Sequence, residues 1–280
     1  MPLAFPASIK YALLALVFIG IGDAINKKAR LDDIPISSYL LVQAPCFCLT
    51  ILIITLGRGG IRIAPSQIML AVIGTALSFA AFTLMLHSLS RGQASINYAV
   101  FRLSFVFSSI AAIVLLNEAC RATKVIGVAC AGAAIVLFSL KAGAQSPVIT
   151  AAVAMFLNSG YQVVLKIATR TLILLPVFLL SMSLMFLTAV IAYYLWSGHP
   201  PVPKRTFLYA PANGLIMSLG TLTALFSLSR GDLSTVTPLM QLSFIVTAAA
   251  SVLFLKERLT FSNWIGIALA VLAIAVLGFT

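Results

Sequence analysis

Apolar residues in this chain come in long unbroken runs, not in the one-sided stripe of a soluble helix or the alternation of a half-buried strand. A membrane-spanning helix needs about 20 such residues. Ten runs meet or approach that length: Ile9–Asn26, Ser38–Leu56, Ser66–Ser88, Ala94–Leu116 and Lys124–Leu140, then Pro147–Ala168, Thr171–Trp196, Thr206–Ser229, Ser234–Leu255 and Phe261–Phe279. The predicted fold class is an all-α integral membrane protein of ten transmembrane helices. The longest polar stretches, Asn26–Ser37 and Ser197–Arg205, leave no room for a soluble domain. A membrane β-barrel is excluded, because barrel strands alternate over only about ten residues. Lys10 before an apolar run resembles a signal peptide, but Asn26-Lys27-Lys28 is no small-residue cleavage site, so the first span is expected to be retained.

Composition agrees. Hydrophobic residues make up 61% of the 280 positions and charged residues 9%, with a mean hydropathy of +1.12. A typical soluble domain is about 25% charged. The formal charge of +12 would suggest nucleic acid in a soluble protein. Here the Lys and Arg residues lie in short loops beside the spans, where they meet lipid headgroups, and no nucleic-acid partner is expected. They divide almost evenly between the two faces, so charge alone does not orient the chain. The cysteines Cys46, Cys48, Cys120 and Cys130 have no metal-binding spacing and read as buried thiols.

The chain also repeats itself. Leu89-Ser90-Arg91-Gly92 recurs as Leu228-Ser229-Arg230-Gly231, and in the same register Leu103-Ser104-Phe105 falls on Leu242-Ser243-Phe244, Glu118 on Glu257 and Ile126-Gly127 on Ile265-Gly266. Phe18, Gly22 and Lys28 match Phe156, Gly160 and Lys166. Pro45 aligns with Pro176 if the first loop of the second half is shorter. The predicted domains are therefore residues 1–143 and 144–280, five spans each. An odd number of spans per copy inverts the second copy, the arrangement of many secondary transporters.

Glu257-Arg258-Leu259-Thr260 followed by Trp264-Ile265-Gly266 resembles the end of an EamA domain, the unit of the drug/metabolite transporter superfamily, as does Glu118 with Ile126-Gly127. Lys28 and Lys166, each ending the first span of its half, resemble the same pattern. The resemblance implies ten spans with both termini cytoplasmic, a cell (inner or plasma) membrane location, and a central cavity lined by the first, third and fourth spans of each half. It also implies export of small metabolites, amino acids among them, by alternating access. One departure stands out. The family often has a proline about thirteen residues before the glutamate, where this chain has Phe105 and Phe244, so no helix break is expected there. Pro238 takes that role in the second half.

Arg102 is the leading candidate for substrate binding. It lies roughly 12 Å into its span at 1.5 Å per residue, near the middle of a roughly 30 Å core. Such a charge normally faces a cavity or a partner, and a guanidinium grips a carboxylate through two parallel hydrogen bonds. Its repeat mate is Gln241, so the charge occurs in one half only. The competing reading is an intramolecular ion pair, with Asp23 as the partner, or snorkelling. Asp23 is the one carboxylate well inside a span. It is a candidate for proton coupling or for holding a substrate amine, against a local pairing with Lys27 one turn on. Asn97, Tyr98 and Phe101 share the span of Arg102, and Asn158, Tyr161 and Gln162 offer amides and a hydroxyl from the sixth span. Helix packing and inter-helix hydrogen bonding are equally good accounts of these. Lys28 and Lys166 read as interfacial anchors, His87 as a helix-end residue, and Glu118 and Glu257 as structural.

The function this supports is secondary active transport of a small carboxylate-bearing or zwitterionic metabolite, with protons as one coupling option. A cation or drug exporter using Asp23 and a lipid-linked-group flippase remain alternatives. Catalysis is not expected, since no nucleophile elbow, metal motif or paired aspartates are present. No cofactor or metal is called for. Monomer and homodimer stay open.

Overall fold

The computed structural model describes residues 6–58, 65–91, 100–139, 147–171, 174–255 and 261–278, mostly helical with short connections and with no strand among them. In chain order the helices are α1 (Ala7–Leu31), α2 (Ile36–Leu56), α3 (Pro65–Arg91), α4 (Ser104–Leu115), α5 (Ala122–Ser139) and α6 (Pro147–Thr171), then α7 (Leu175–Trp196), α8 (Thr206–Arg230), α9 (Leu233–Gln241), α10 (Phe244–Leu255) and α11 (Phe261–Gly278). Seven helical stretches are long and apolar enough to cross a membrane, and Val100–Leu115, Ala122–Leu137 and Trp264–Leu277 are shorter apolar helices. Together they place helix in every predicted span. Many large apolar side chains point outward, as a lipid-facing surface requires: Leu253 and Phe261 are exposed, as are Trp196 and Trp264 at span ends.

Packing follows the repeat. α1 lies against α8, and its counterpart α6 lies against α3; α2 packs on α7, α4 on α9, and α5 on α11. The α1–α8 and α3–α6 contacts exchange with one another, and the α2–α7 and α5–α11 contacts map onto themselves, when the halves are exchanged, as a pseudo-two-fold axis demands. α2 begins at Ile36 and its counterpart α7 at Leu175, the register of the rest of the repeat. Pro45 sits inside α2 while Pro176 opens α7, so the proline match drawn from the sequence is not a structural equivalence.

The fourth and ninth spans are broken, contrary to the expectation drawn from Phe105 and Phe244. The helical turn at 100–102 gives way at Leu103, where Leu103 N–H donates to Val100 O at 3.1 Å and Val106 N–H to Leu103 O at 3.0 Å. The second half breaks at the same repeat position, Leu242–Ser243, with Leu242 N–H to Leu239 O at 3.2 Å and Ile245 N–H to Leu242 O at 3.0 Å. These are three-residue bonds of a tightened turn. Pro238 lies within α9 and does not end it.

Polar groups fasten the elements at the membrane face where α8 ends and α9 begins. The buried Glu118 carboxylate accepts Leu233 N–H at 2.8 Å, Ser234 N–H at 3.0 Å and Ser234 Oγ–H at 2.6 Å, capping α9 from the other half of the chain. Lys166 is buried and donates Nζ to Leu228 O at 2.8 Å and Gly231 O at 2.6 Å, closing the end of α8. It is a helix cap, not the lipid anchor its position suggested. At the far end of α1, Asp32 accepts from Lys28 Nζ at 3.0 Å and Tyr209 OH at 2.9 Å, which holds its carboxyl below the usual carboxylate range. Cys120 is exposed, and Cys46 and Cys130 are half-buried, so Cys48 is the one cysteine that fits the buried reading.

Two glycines set how closely the halves approach. A methyl group at Gly20 would sit 2.6 Å from Ser243 O, and one at Gly214 would sit 2.6 Å from Gln43 O. Both obstacles are backbone atoms, which cannot swing aside. At Gly132 the nearest neighbour would be Phe105 Cζ, at an ordinary 4.0 Å. Gly214→Ala is therefore expected to lower stability by about 1–3 kcal/mol through overpacking. Gly132→Ala is expected to leave it unchanged or gain a few tenths through helix propensity. Thermal unfolding of the two variants in detergent orders them; the reverse order would refute the packing account.

Candidate substrate cavity

The break in α9–α10 and the turn at 100–102 meet at the pseudo-two-fold axis, and Arg102 joins them. Its guanidinium is 5% exposed and ion-paired with Asp23 of α1. Nη1 also donates to Gln241 O at 3.0 Å and to the Ser243 hydroxyl. The helix break explains the backbone contact. In a continuous helix Ile245 N–H would bond Gln241 O, but it bonds Leu242 O, which opens the Gln241 carbonyl to a donor from outside. Arg102 thus binds the backbone of its own repeat mate.

Beside this pair is a cavity of about 270 Å³. Asp23, Phe101, Arg102, Asn158, Tyr161, Gln162 and Gln241 all border it. Asn97 and Tyr98 lie outside the described residues. Most of the wall is apolar: Phe47, Phe82 and Phe186 with Met85, Met182, Met217 and Met240. Thioether side chains flex to fit irregular shapes and pack well on aromatic edges, so this wall suits an apolar group of adjustable outline.

Most of the cavity amides are spoken for. Ser104 Oγ receives Asn158 Nδ2 at 2.8 Å and Gln162 Nε2 at 3.1 Å, and Gln162 Oε1 accepts Ser108 Oγ at 2.7 Å. Asn158 and Gln162 therefore do what inter-helix hydrogen bonds predict while still bordering the cavity. Gln43, Ser78, Ser183 and Thr221 also border it and were not singled out from the sequence. Gln43 had a usable signal, as the one amide in the apolar second span. His87 hydrogen-bonds Tyr193 OH at 3.0 Å near the end of α3, a helix-end role. Among the described residues no group of three metal-ligating side chains occurs.

Comparison with known proteins fixes the family. The EamA-like transporter family matches residues 7–140 and again 145–279. The chain belongs to that family. Each match covers one predicted five-span half, so this EamA-family protein is a multi-pass helical membrane protein built from two copies of the domain. Over 73 residues it is 37% identical to an "Uncharacterized transporter in cobO 3'region" of Sinorhizobium sp, a match covering 26% of this chain and 52% of that one. Over 74 residues it is 35% identical to an uncharacterized protein of Methanocaldococcus jannaschii, covering 26% of this chain and 54% of the relative. The chain thus spans about half the length of these two relatives. A solved crystal structure superposes with a TM-score of 0.82 over 98% of each chain at 15% identity, which shows the shared fold.

The Asp23–Arg102 pair gives a test independent of transport. Removing one member of a buried ion pair strands the other charge, at a cost of about 3–5 kcal/mol, whereas replacing both by apolar groups is often neutral. Arg102→Met and Asp23→Leu alone are each expected to lower the thermal midpoint markedly. The double variant is expected to unfold above either single variant. Additive losses in the double would show that the two charges are not coupled.

Proposed function

We propose that this EamA-like transporter exports a small carboxylate-bearing or zwitterionic metabolite, such as an amino acid, across the cell (inner or plasma) membrane by alternating access, with both termini cytoplasmic. The observation that carries the reading is the Asp23–Arg102 pair on the wall of a Phe- and Met-lined cavity. The pair is neutral overall, yet each member is a charge. A zwitterion brings the same two charges in reverse. Its carboxylate exchanges onto Arg102 through parallel hydrogen bonds and its ammonium onto Asp23, so neither protein charge is left bare. The cargo's apolar part rests on the phenylalanines and methionines. Phe101, Tyr161, Gln241, Asn158 and Gln162, with Asn97 and Tyr98 from the sequence just before Phe101, complete the proposed contact set.

Asp23 also offers a coupling step. For a cargo that is a plain carboxylate, a proton on the Asp23 carboxyl removes the negative partner and frees Arg102, so proton entry and carboxylate capture reinforce each other; for a zwitterion the cargo ammonium takes the proton's place on the charged carboxylate. A lone amine leaves Arg102 without a counter-charge, which favours carboxylates and zwitterions over the cation-exporter alternative.

The test is ligand-induced stabilisation of the purified protein by carboxylates, zwitterions and amines. At a hundredfold excess over its dissociation constant a ligand adds about 2.7 kcal/mol. Carboxylates or zwitterions are expected to raise the midpoint of the wild type, and not that of the neutral double variant Asp23→Asn/Arg102→Gln. Stabilisation by amines alone, lost in Asp23→Asn, would establish a cation exporter instead.

A further inference from the structure

We propose that Gln43 is a specificity-determining residue of this cavity, and that its side-chain oxygen accepts a hydrogen bond from the ammonium of a zwitterionic cargo. The proposal rests on the reading above, that Arg102 takes the carboxylate.

Gln43 is 6% exposed and lies on the cavity wall in the first half of α2. Its Oε1 is buried without a hydrogen-bond partner. That sets it apart from the other three cavity amides. Asn158 and Gln162 bond Ser104, and the Gln241 side-chain oxygen lies 3.5 Å from Arg102 Nη1. A buried amide oxygen with no donor costs stability that an apolar residue of the same size would recover. Its place in a span otherwise free of amides is explained if the donor arrives with the cargo.

Position supports this. α8 packs directly on the backbone at Gln43, so closely that a Cβ added at Gly214 would sit 2.6 Å from Gln43 O, and this contact braces the backbone that carries the side chain. The terminal amide torsion of glutamine is soft, and the oxygen reaches a donor in the cavity without backbone movement. One helical turn on, Phe47 borders the same cavity, so α2 presents a polar acceptor beside an aromatic wall. The repeat position at the same distance along α7 is Met182, also on the cavity wall. The acceptor is therefore a feature of one half, like Asp23 and Arg102. An ammonium has three donors. Asp23 supplies the opposing charge, and Gln43 takes a second N–H. A site that pairs an N–H in this way rejects the analogue lacking it, because its own acceptor is then left unpaired.

The probes are leucine, 4-methylpentanoate (the same skeleton without the amine) and 3-methylbutylamine (without the carboxylate). Their affinities are measured on the purified full chain, for the wild type and for Gln43→Leu and Gln43→Met. The expected result has three parts. Wild type binds leucine more tightly than 4-methylpentanoate. Both variants lose at least tenfold in leucine affinity with 4-methylpentanoate unchanged, which erases the preference. The ligand-free melting temperature of at least one variant equals or exceeds that of wild type. Leucine affinity unchanged in both variants would overturn the role of Gln43 and leave the carboxylate reading intact. Loss of both ligands together with lower melting in both variants would make Gln43 structural and overturn the proposal. If wild type binds 3-methylbutylamine and neither carboxylate, the reading of the cargo falls and this proposal with it.

Discussion

A guanidinium in the interior of a membrane protein has few places to go, and the centre of this structure is organised around that constraint. Arg102 lies inside its span, where an unpartnered charge costs at least a few kcal/mol. Among the described residues it is held by the Asp23 carboxylate of α1, the Gln241 carbonyl at the end of α9, and the Ser243 hydroxyl in the break. None is close in sequence. The second of these acceptors is a backbone carbonyl released where the helix tightens, so the buried charge and the broken helix account for one another. Because Gln241 is the repeat mate of Arg102, the contact falls on the pseudo-two-fold axis and ties the two halves at their common centre.

The span count and the repeat were legible in the sequence for a simple reason. Lipid demands long apolar runs, and duplication leaves Arg, Gly and Glu in register where hydrophobicity alone would not. The breaks at Leu103 and Leu242–Ser243 were not legible, because neither turn contains proline or glycine. The serine after each leucine is consistent with local hydrogen bonding against a continuous helix, but that signal is weak in a span. Prolines misled in the other direction. Pro238 is absorbed within α9, and Pro45 and Pro176 suggested an equivalence that the helix positions do not share. Lys166 was misread because a lysine near a span end ordinarily snorkels; only the fold shows two carbonyls at the end of α8 within its reach.

The candidate site was legible in the same uneven way. Asp23 and Arg102 announced themselves by charge, and the amides of α6 by their four-residue spacing. The ion pair joins residues 79 apart, though, so its competitor, the Asp23–Lys27 pairing, was the nearer guess from periodicity. Apart from Phe101, which shares the span of Arg102, the phenylalanines and methionines of the wall carried no signal. In a chain this apolar they are indistinguishable from residues that face lipid.

The cavity is asymmetric on a symmetric scaffold. Helix packing obeys exchange of the halves, yet both charges and Gln43 come from the first half, while the second half answers with Gln241 for Arg102 and Met182 for Gln43. Duplication by itself would place like charges opposite one another across the axis, and two guanidiniums there would repel. Neutralising one member removes that cost and leaves a single polarised site. For the proposed alternating access, the same logic separates two kinds of contact. Glu118 and Lys166 fasten one membrane face, so an exchange of conformation between the halves would have to break them. The Arg102–Gln241 contact lies on the axis, where such an exchange moves the partners least. Substrate chemistry and hinge would then share one location, and cargo charge would act directly on the bond that joins the halves.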